Sequence, residues 1–310
     1  MSEYAAAGVA IAAVGAALLA GVYFVAVFDR LIGALVEGRP LQWSRLLAEP
    51  VQSSALMAVQ QRRTTERPDA PAWALAPALF AGLAAVALAM VPLDRDLVAT
   101  DPATGFVVFS AAIAMVMIAV YLHGWSPNSA FALHGAYRYG AQALSFQIPF
   151  LLAMLATVLP AESLSIVEIV NAQESLWNVV RQPAGLPLYL VVGVAVSFWG
   201  PLNLPDGSDL AGGTSVEDSG LSRLLWKAAR AAMLVSVAAM GAAAFLGGWW
   251  GPWLAGPVWV VLKTVALLGV LLASGHLLAR VRIEQFVLVS WVVLIPLALL
   301  NVFVSGAFLL

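Results

Sequence analysis

Polar side chains that could do chemistry are few in this chain, and they are unevenly placed. Lys263 is the one cation well inside an apolar stretch. An ionisable group at membrane depth is a candidate for ion or proton movement, and a lysine can instead snorkel to an interface. His276 lies about a turn before Arg280. Imidazole titrates near neutral pH, so this position suits a proton relay or an interfacial hydrogen bond. Asp206, Asp209, Glu217 and Asp218 share a Gly-rich loop, which reads either as a solvated turn or as a segment folded against a partner. Arg138 and Gln142 stand one helical turn apart and share a helix face; Arg138 either holds a loop or anchors its helix at the headgroups. His123 and His134 flank a Gly-Trp-Ser segment and are expected to be solvated or capping. Arg30, Arg39, Arg280, Arg282 and Glu284 border apolar runs, as topology signals or as contacts to another protein of an assembly. The chain has no cysteine, which excludes disulfides and thiolate-bound metal. Its three histidines form no pair at helical metal spacing, so no protein-bound metal is expected. The basic residues are dispersed and form no nucleic-acid motif.

The elements that must position these groups are membrane helices. Hydrophobic residues make up 62% of the 310 residues and charged ones 10%, with a mean hydropathy of +0.92. A water-soluble fold could not cover so much apolar surface. Apolar runs cover Tyr4–Phe28, Trp73–Leu93, Gly105–His123, Ala141–Leu159, Leu186–Gly200, Ala231–Trp250, Val258–Leu278 and Phe286–Phe308, which predicts an all-α bundle of about eight transmembrane helices at about 20 residues each. The fifth run is short and is expected to begin earlier, near Val179. The first has no basic residues before it, so it reads as a retained helix and not as a signal peptide. No soluble domain interrupts the pattern, and residues 1–310 read as one membrane domain.

Arginines set the expected orientation. Arg30, Arg39, Arg45, Arg62, Arg63 and Arg67 follow the first run, Arg138 the third, Arg223, Lys227 and Arg230 the fifth, and Arg280 and Arg282 the seventh; the alternate loops hold only Arg95 and Arg181. The positive-inside rule places the odd-numbered loops in the cytoplasm and both termini outside, in a multi-pass plasma-membrane protein. Trp249, Trp250 and Trp253 read as an outer interfacial belt. Abundant Ala and Gly suit close helix packing, or a face on which another protein docks.

Several segments together resemble a known family. GWSPNSAFALHGAYRYGAQALSFQIP at Gly124–Pro149 comes first, then SLSIVEIVNAQ at Ser163–Gln173 and Gln182-Pro183. LNLPDGSDLAGG at Leu202–Gly213 follows, with Glu217 and Ser219-Gly220 after it, then FLGGWWGP at Phe245–Pro252, Lys263-Thr264, Arg280–Gln285 and Ile295–Asn301. In this order they resemble the H subunit of the proton-pumping NADH:quinone oxidoreductase, respiratory complex I, a family that includes membrane subunits of energy-converting hydrogenases. The resemblance covers nearly the whole chain.

It implies a position at the heel of the membrane arm, where the chain forms much of a quinone chamber, lined by cytoplasmic loops and open to the bilayer. It also implies a charged path from there toward proton-translocating subunits. Other subunits would bind NADH and the iron–sulfur clusters, so this chain would bind no cofactor alone and would be catalytic only in the complex, with quinone a possible ligand there. The candidate chamber and path residues are Asp29, Arg30, Arg138, Gln142, Gln147, Asp206, Asp209, Glu217, Lys263, His276, Arg280, Arg282 and Glu284. Against the family pattern, Gln147 and Val196 stand where Glu is expected, and Trp199 and Gly275 where Arg is expected. A carboxamide hydrogen-bonds but does not titrate near neutral pH, so these departures imply a weakened proton path, or one carried by other subunits. A structural adaptor in a related hydrogenase or antiporter assembly, without quinone reduction, is the second reading. A free-standing transporter is the third, disfavoured by the lack of an internal repeat or a charged midplane site.

Overall fold

The computed structural model describes residues 3–307, with side chains from residue 8 onward. Met1, Ser2 and 308–310 lie outside the described residues, and with them the expected end of the last helix at Phe308. Every regular element among the described residues is helical: α1 Glu3–Val36, α2 Trp43–Val59, α3 Ala70–Ala89, α4 Gly105–Trp125, α5 Ala130–Val158, α6 Ile166–Asn171, α7 Asn178–Arg181, α8 Gly185–Val196, α9 Gly220–Phe245, α10 Gly256–Leu277, α11 Ile283–Val289 and α12 Ile295–Ala307, besides short 3-10 turns. A π turn at Ser290–Leu294 joins α11 to α12 into one rod. Seven spans are long and apolar enough to cross a membrane, and α8 is a shorter apolar helix of 12 residues. The eight expected runs are thus all helical, though one falls short of a crossing.

α9 is the axis. It packs against α1, α2, α3, α8 and α10, and every residue from Ala231 to Phe245 is buried. Its small residues allow this enclosure, because without a hydrophobic drive in lipid helices gain from close van der Waals approach. At the α8 crossing a Cβ on Gly193 would sit 2.6 Å from Val237, and one on Gly241 2.9 Å from the Tyr189 ring. Tyr189 then donates its hydroxyl to the Val237 carbonyl at 2.8 Å. In α9 the abundant small residues serve internal packing.

Three expectations need correction. The fourth span begins at Ala130, not Ala141, because the polar turn carrying His134 and Arg138 continues the helix. The fifth does not reach back to Val179. That residue lies in the separate single turn α7, and the chain breaks at Gln182-Pro183, where buried Gln182 accepts from Asn301 Nδ2 at 3.0 Å. The expected tryptophan belt loses Trp249, while Trp253 is exposed and Trp250 half-buried. Trp249 is buried, and Trp250 donates to the Val170 carbonyl at 3.1 Å.

Candidate functional site: a cavity at the arginine-rich end

A cavity of about 490 Å³ opens where α1, α2, α9 and α10 meet the turn after α8. Val22, Val25 and Ala26 of α1, with Leu224, Ala228 and Ala231 of α9, make its apolar wall. Pro50, Ser53, Ser54 and Met57 of α2 close another side. The rest of that helix turns Trp43, Leu47 and Val51, spaced i, i+4, i+8, outward and exposed. Such a two-faced helix lies along an interface rather than across it, and Tyr23 ties it to α1 through the Leu47 carbonyl at 3.0 Å.

The polar part of the lining gathers Asp29, Arg30, Lys227, Arg230 and His276. His276 Nε2 lies 2.9 Å from Asp29 Oδ1, joining α10 to α1. Gly33 makes room for it, since a Cβ there would meet the imidazole at 3.0 Å. Arg30 donates to the Ala26 carbonyl at 2.8 Å and stands 3.6 Å from Glu49. Arg230 donates to Asp206 at 2.9 Å, its guanidinium 4.0 Å from the centre of the Phe198 ring. Both side chains of that pair are nearly enclosed. The sequence presents Lys227 and Arg230 only as orientation signals.

The loop of 203–219 is folded onto this chain. Asp206 also accepts from the hydroxyls of Thr214 and of Ser215, the latter at 2.9 Å. Asp209 bridges Arg138, at 2.6 Å, and Arg280. Burial acts to raise the Asp209 carboxyl, but hydrogen bonds and charge from Arg138 and Arg280 outweigh it and hold the group below its ordinary value. One turn along the same face of α5, buried Gln142 donates to the carbonyls of Ala195 at 2.8 Å and Leu202 at 3.0 Å. The shared face of Arg138 and Gln142 thus clamps the end of α8 and the loop after it. Glu217 lines a second, polar cavity of about 640 Å³ with Arg63 and Arg223. Arg282 and Glu284 are exposed at the start of α11, apart from the first cavity.

Two candidates lie away from these groups. Lys263 is buried near the other end of the bundle, donating to the carbonyls of Gly248 at 2.8 Å and Trp250 at 2.6 Å, with its ammonium 4.2 Å from the centre of the Trp177 ring. It therefore satisfies carbonyls just past the end of α9. Gln147 is half-buried in α5. His134 is exposed as expected, but His123 is neither solvated nor a simple cap. It is fully buried, 2.7 Å from Asp218 and stacked 3.6 Å from Trp226, and Trp73 Nε1 donates to the same carboxylate at 3.1 Å. The sequence conceals this cluster because His123 and Asp218 lie far apart in it.

The family described as NADH dehydrogenase matches this chain over residues 9–306. The chain is 35% identical, over 77% of its length and 75% of the relative's, to the H 1 subunit of NADH-quinone oxidoreductase from Rhodopseudomonas palustris (strain BisA53). It is 31% identical to the corresponding H 2 subunit of Syntrophobacter fumaroxidans, over 85% of the chain and 83% of the relative. To the H subunit of Geobacillus kaustophilus it is 32% identical, over 77% and 73%. The chain belongs to the family of NADH-quinone oxidoreductase H subunits. As in that family, it is a polytopic helical membrane protein.

Two of the departures that the family resemblance implies fall together in this structure. Trp199 and Gly275 both line the first cavity, and a Cβ on Gly275 would lie 3.5 Å from the Trp199 indole. Gly200 has φ +46°, and a Cβ on it would come within 2.6 Å of the Gly275 Cα. The turn after α8 thus lies directly on the α10 backbone. Val196 is buried, and its carbonyl accepts from the Tyr139 hydroxyl at 2.9 Å. Within the seven apolar spans, the first taken from Gly8, the acids are Asp29 and Glu284, each near the arginine-rich end.

Proposed function

We propose that this chain forms the quinone chamber of a complex I-type NADH-quinone oxidoreductase and links its redox arm to proton-translocating subunits. The observation that carries this reading is the 490 Å³ cavity, apolar along α1 and α9, polar at Asp29, Arg30, Lys227 and His276, and walled by a helix whose other face is exposed and apolar. A quinone needs this combination: an apolar course for its tail and hydrogen-bonding groups for its carbonyl oxygens. The arginine-rich loops would face the cytoplasm of a plasma membrane, where peripheral-arm subunits would supply electrons and cover the loop of 203–219. Neighbouring membrane-arm subunits would move the protons. Alone, the chain carries no catalytic role in this reading.

The uncharged groups at Gln147, Val196, Trp199 and Gly275 favour a second reading, an adaptor in a related hydrogenase or antiporter assembly that does not reduce quinone. One experiment separates the two. In the purified assembly, a photoreactive quinone analogue should label peptides containing 22–30 or 53–57. Filling the cavity with Ala228→Phe should abolish that labelling and quinone-linked NADH oxidation, while electron transfer to an artificial acceptor continues. Unaltered quinone turnover in the filled variant would rule out the chamber.

A further inference from the structure

Three basic side chains and one carboxylate line the cavity: Arg30, Lys227, Arg230 and Asp29. All but one have a partner. Asp29 faces His276 at 2.9 Å, Arg230 faces Asp206 at 2.9 Å, and Arg30 stands 3.6 Å from Glu49. No hydrogen bond or ion pair of the lining, among the described residues, engages Lys227. It is the eighth residue of α9, level with the polar lining and one residue before Ala228 of the apolar wall. Lys227 is exposed at the cavity's rim, where its ammonium can approach an oxygen seated in the cavity and a charge-assisted hydrogen bond is stronger than a neutral one.

We infer that Lys227 binds the head of the cavity's occupant by donating from its ammonium to a quinone carbonyl oxygen; this rests on the quinone reading above. The arrangement divides the labour within the cavity. Arg230 and Asp206 neutralise one another and pin the loop; Asp29 and His276 hold α1 to α10. Lys227 alone is left to contact a guest. Arg30 and Arg230 contribute positive potential from fixed positions, so the lining as a whole favours an electron-rich oxygen at this end and an apolar chain along α1 and α9. Lys227 is therefore a binding and specificity residue rather than a group that transfers protons.

The test uses the intact assembly. Lys227→Met keeps the aliphatic stem and removes the donor; Lys227→Arg keeps a cation; Lys227→Gln keeps a neutral donor and serves if the Met variant assembles poorly. Loss of the hydrogen bond should raise the KM for a short-chain quinone about tenfold, equivalent to about 1.4 kcal/mol, with kcat within about twofold. Arg should restore the KM to within about threefold, and Gln should fall between. An unchanged KM in the Met variant, with photolabelling of the cavity intact, would overturn the role of Lys227 and leave the quinone chamber standing. If no variant and no wild-type sample is labelled by quinone, the chamber reading itself fails. Loss of co-purified phospholipid phosphate in the Met variant, without any change in quinone kinetics, would assign the ammonium to a lipid headgroup and overturn the inference.

Discussion

Asp206→Asn tests the nearly enclosed arginine–carboxylate pair beside the first cavity. The substitution removes the anion and retains shape and hydrogen-bonding oxygen, leaving the Arg230 guanidinium without its counter-charge. The side chains of Asp206 and Arg230 are only 7% and 12% exposed, so water replaces the lost partner poorly. Breaking one side of a buried pair costs about 3–5 kcal/mol. We take the lower figure, since Arg230 keeps its bonds to the carbonyl of Phe198 and to Asn203 Oδ1, the latter at 3.4 Å. The cost falls on the loop, whose turn depends on Asp206 through Thr214 and Ser215 and on the backbone bonds of Gly212 to Gly207 and of Ser215 to Gly212, each close to 3 Å. A loss of about 3 kcal/mol in local opening free energy speeds amide exchange roughly 100-fold. Hydrogen exchange of the detergent-solubilised assembly should show this over 203–216, with the core of α9 unchanged. Adding Arg230→Met should recover most of the protection, because removing both charges removes the orphaned cation. Exchange within about threefold of wild type in the single variant, or a double variant as fast as the single, would refute the assignment.

Asp209 gives the same loop a pH dependence. Its pKa is held below the ordinary carboxylate value by Arg138 and Arg280, so the stabilisation is fully present above the unfolded-state pKa and is lost as pH falls through the lower folded-state pKa. Pepsin nicking of 203–216 should accelerate on acidification through that window in wild type, and Asp209→Asn should remove the step and nick faster above it. At the other end of the bundle, Lys263→Met should leave the carbonyls of Gly248 and Trp250 without their donor, lowering stability by about 2 kcal/mol. Differential scanning fluorimetry with tryptophan emission should report this as a lower midpoint, with Trp177 and Trp250 among the emitters affected.

The spans were legible because long apolar runs leave little choice in lipid. Where each begins was not always legible. The break at Gln182-Pro183 depends on Asn301, more than a hundred residues away in the chain, and no local pattern carries that contact. α2 left a sign that could have been found: Trp43, Leu47 and Val51 repeat at helical spacing within a loop otherwise rich in arginine and glutamine. The pairing of Arg138 and Gln142 on one face was readable because it follows from helix periodicity alone. Lys227 and Arg230 were not readable as cavity residues. A positive charge beside an apolar run looks the same whether it faces headgroups, as topology needs, or a cavity against Asp206. His123 illustrates the converse error, since it stands near the end of α4, beside the Gly-Trp-Ser segment, while its contacts in space are Asp218 and Trp226.

The shortness of α8 bears on how the protein is made. Twelve residues rise about 18 Å, against a hydrocarbon thickness of about 30 Å, so this segment cannot be released into lipid from the insertion machinery as an independent crossing. Its C-terminal end uses the donors that Gln142 and Tyr139 bring from α5, and its seat on α9 uses the close approach that Gly193 and Gly241 allow. The membrane position of α8 is therefore a property of the packed bundle, set by α5 and α9 together, and not of its own length.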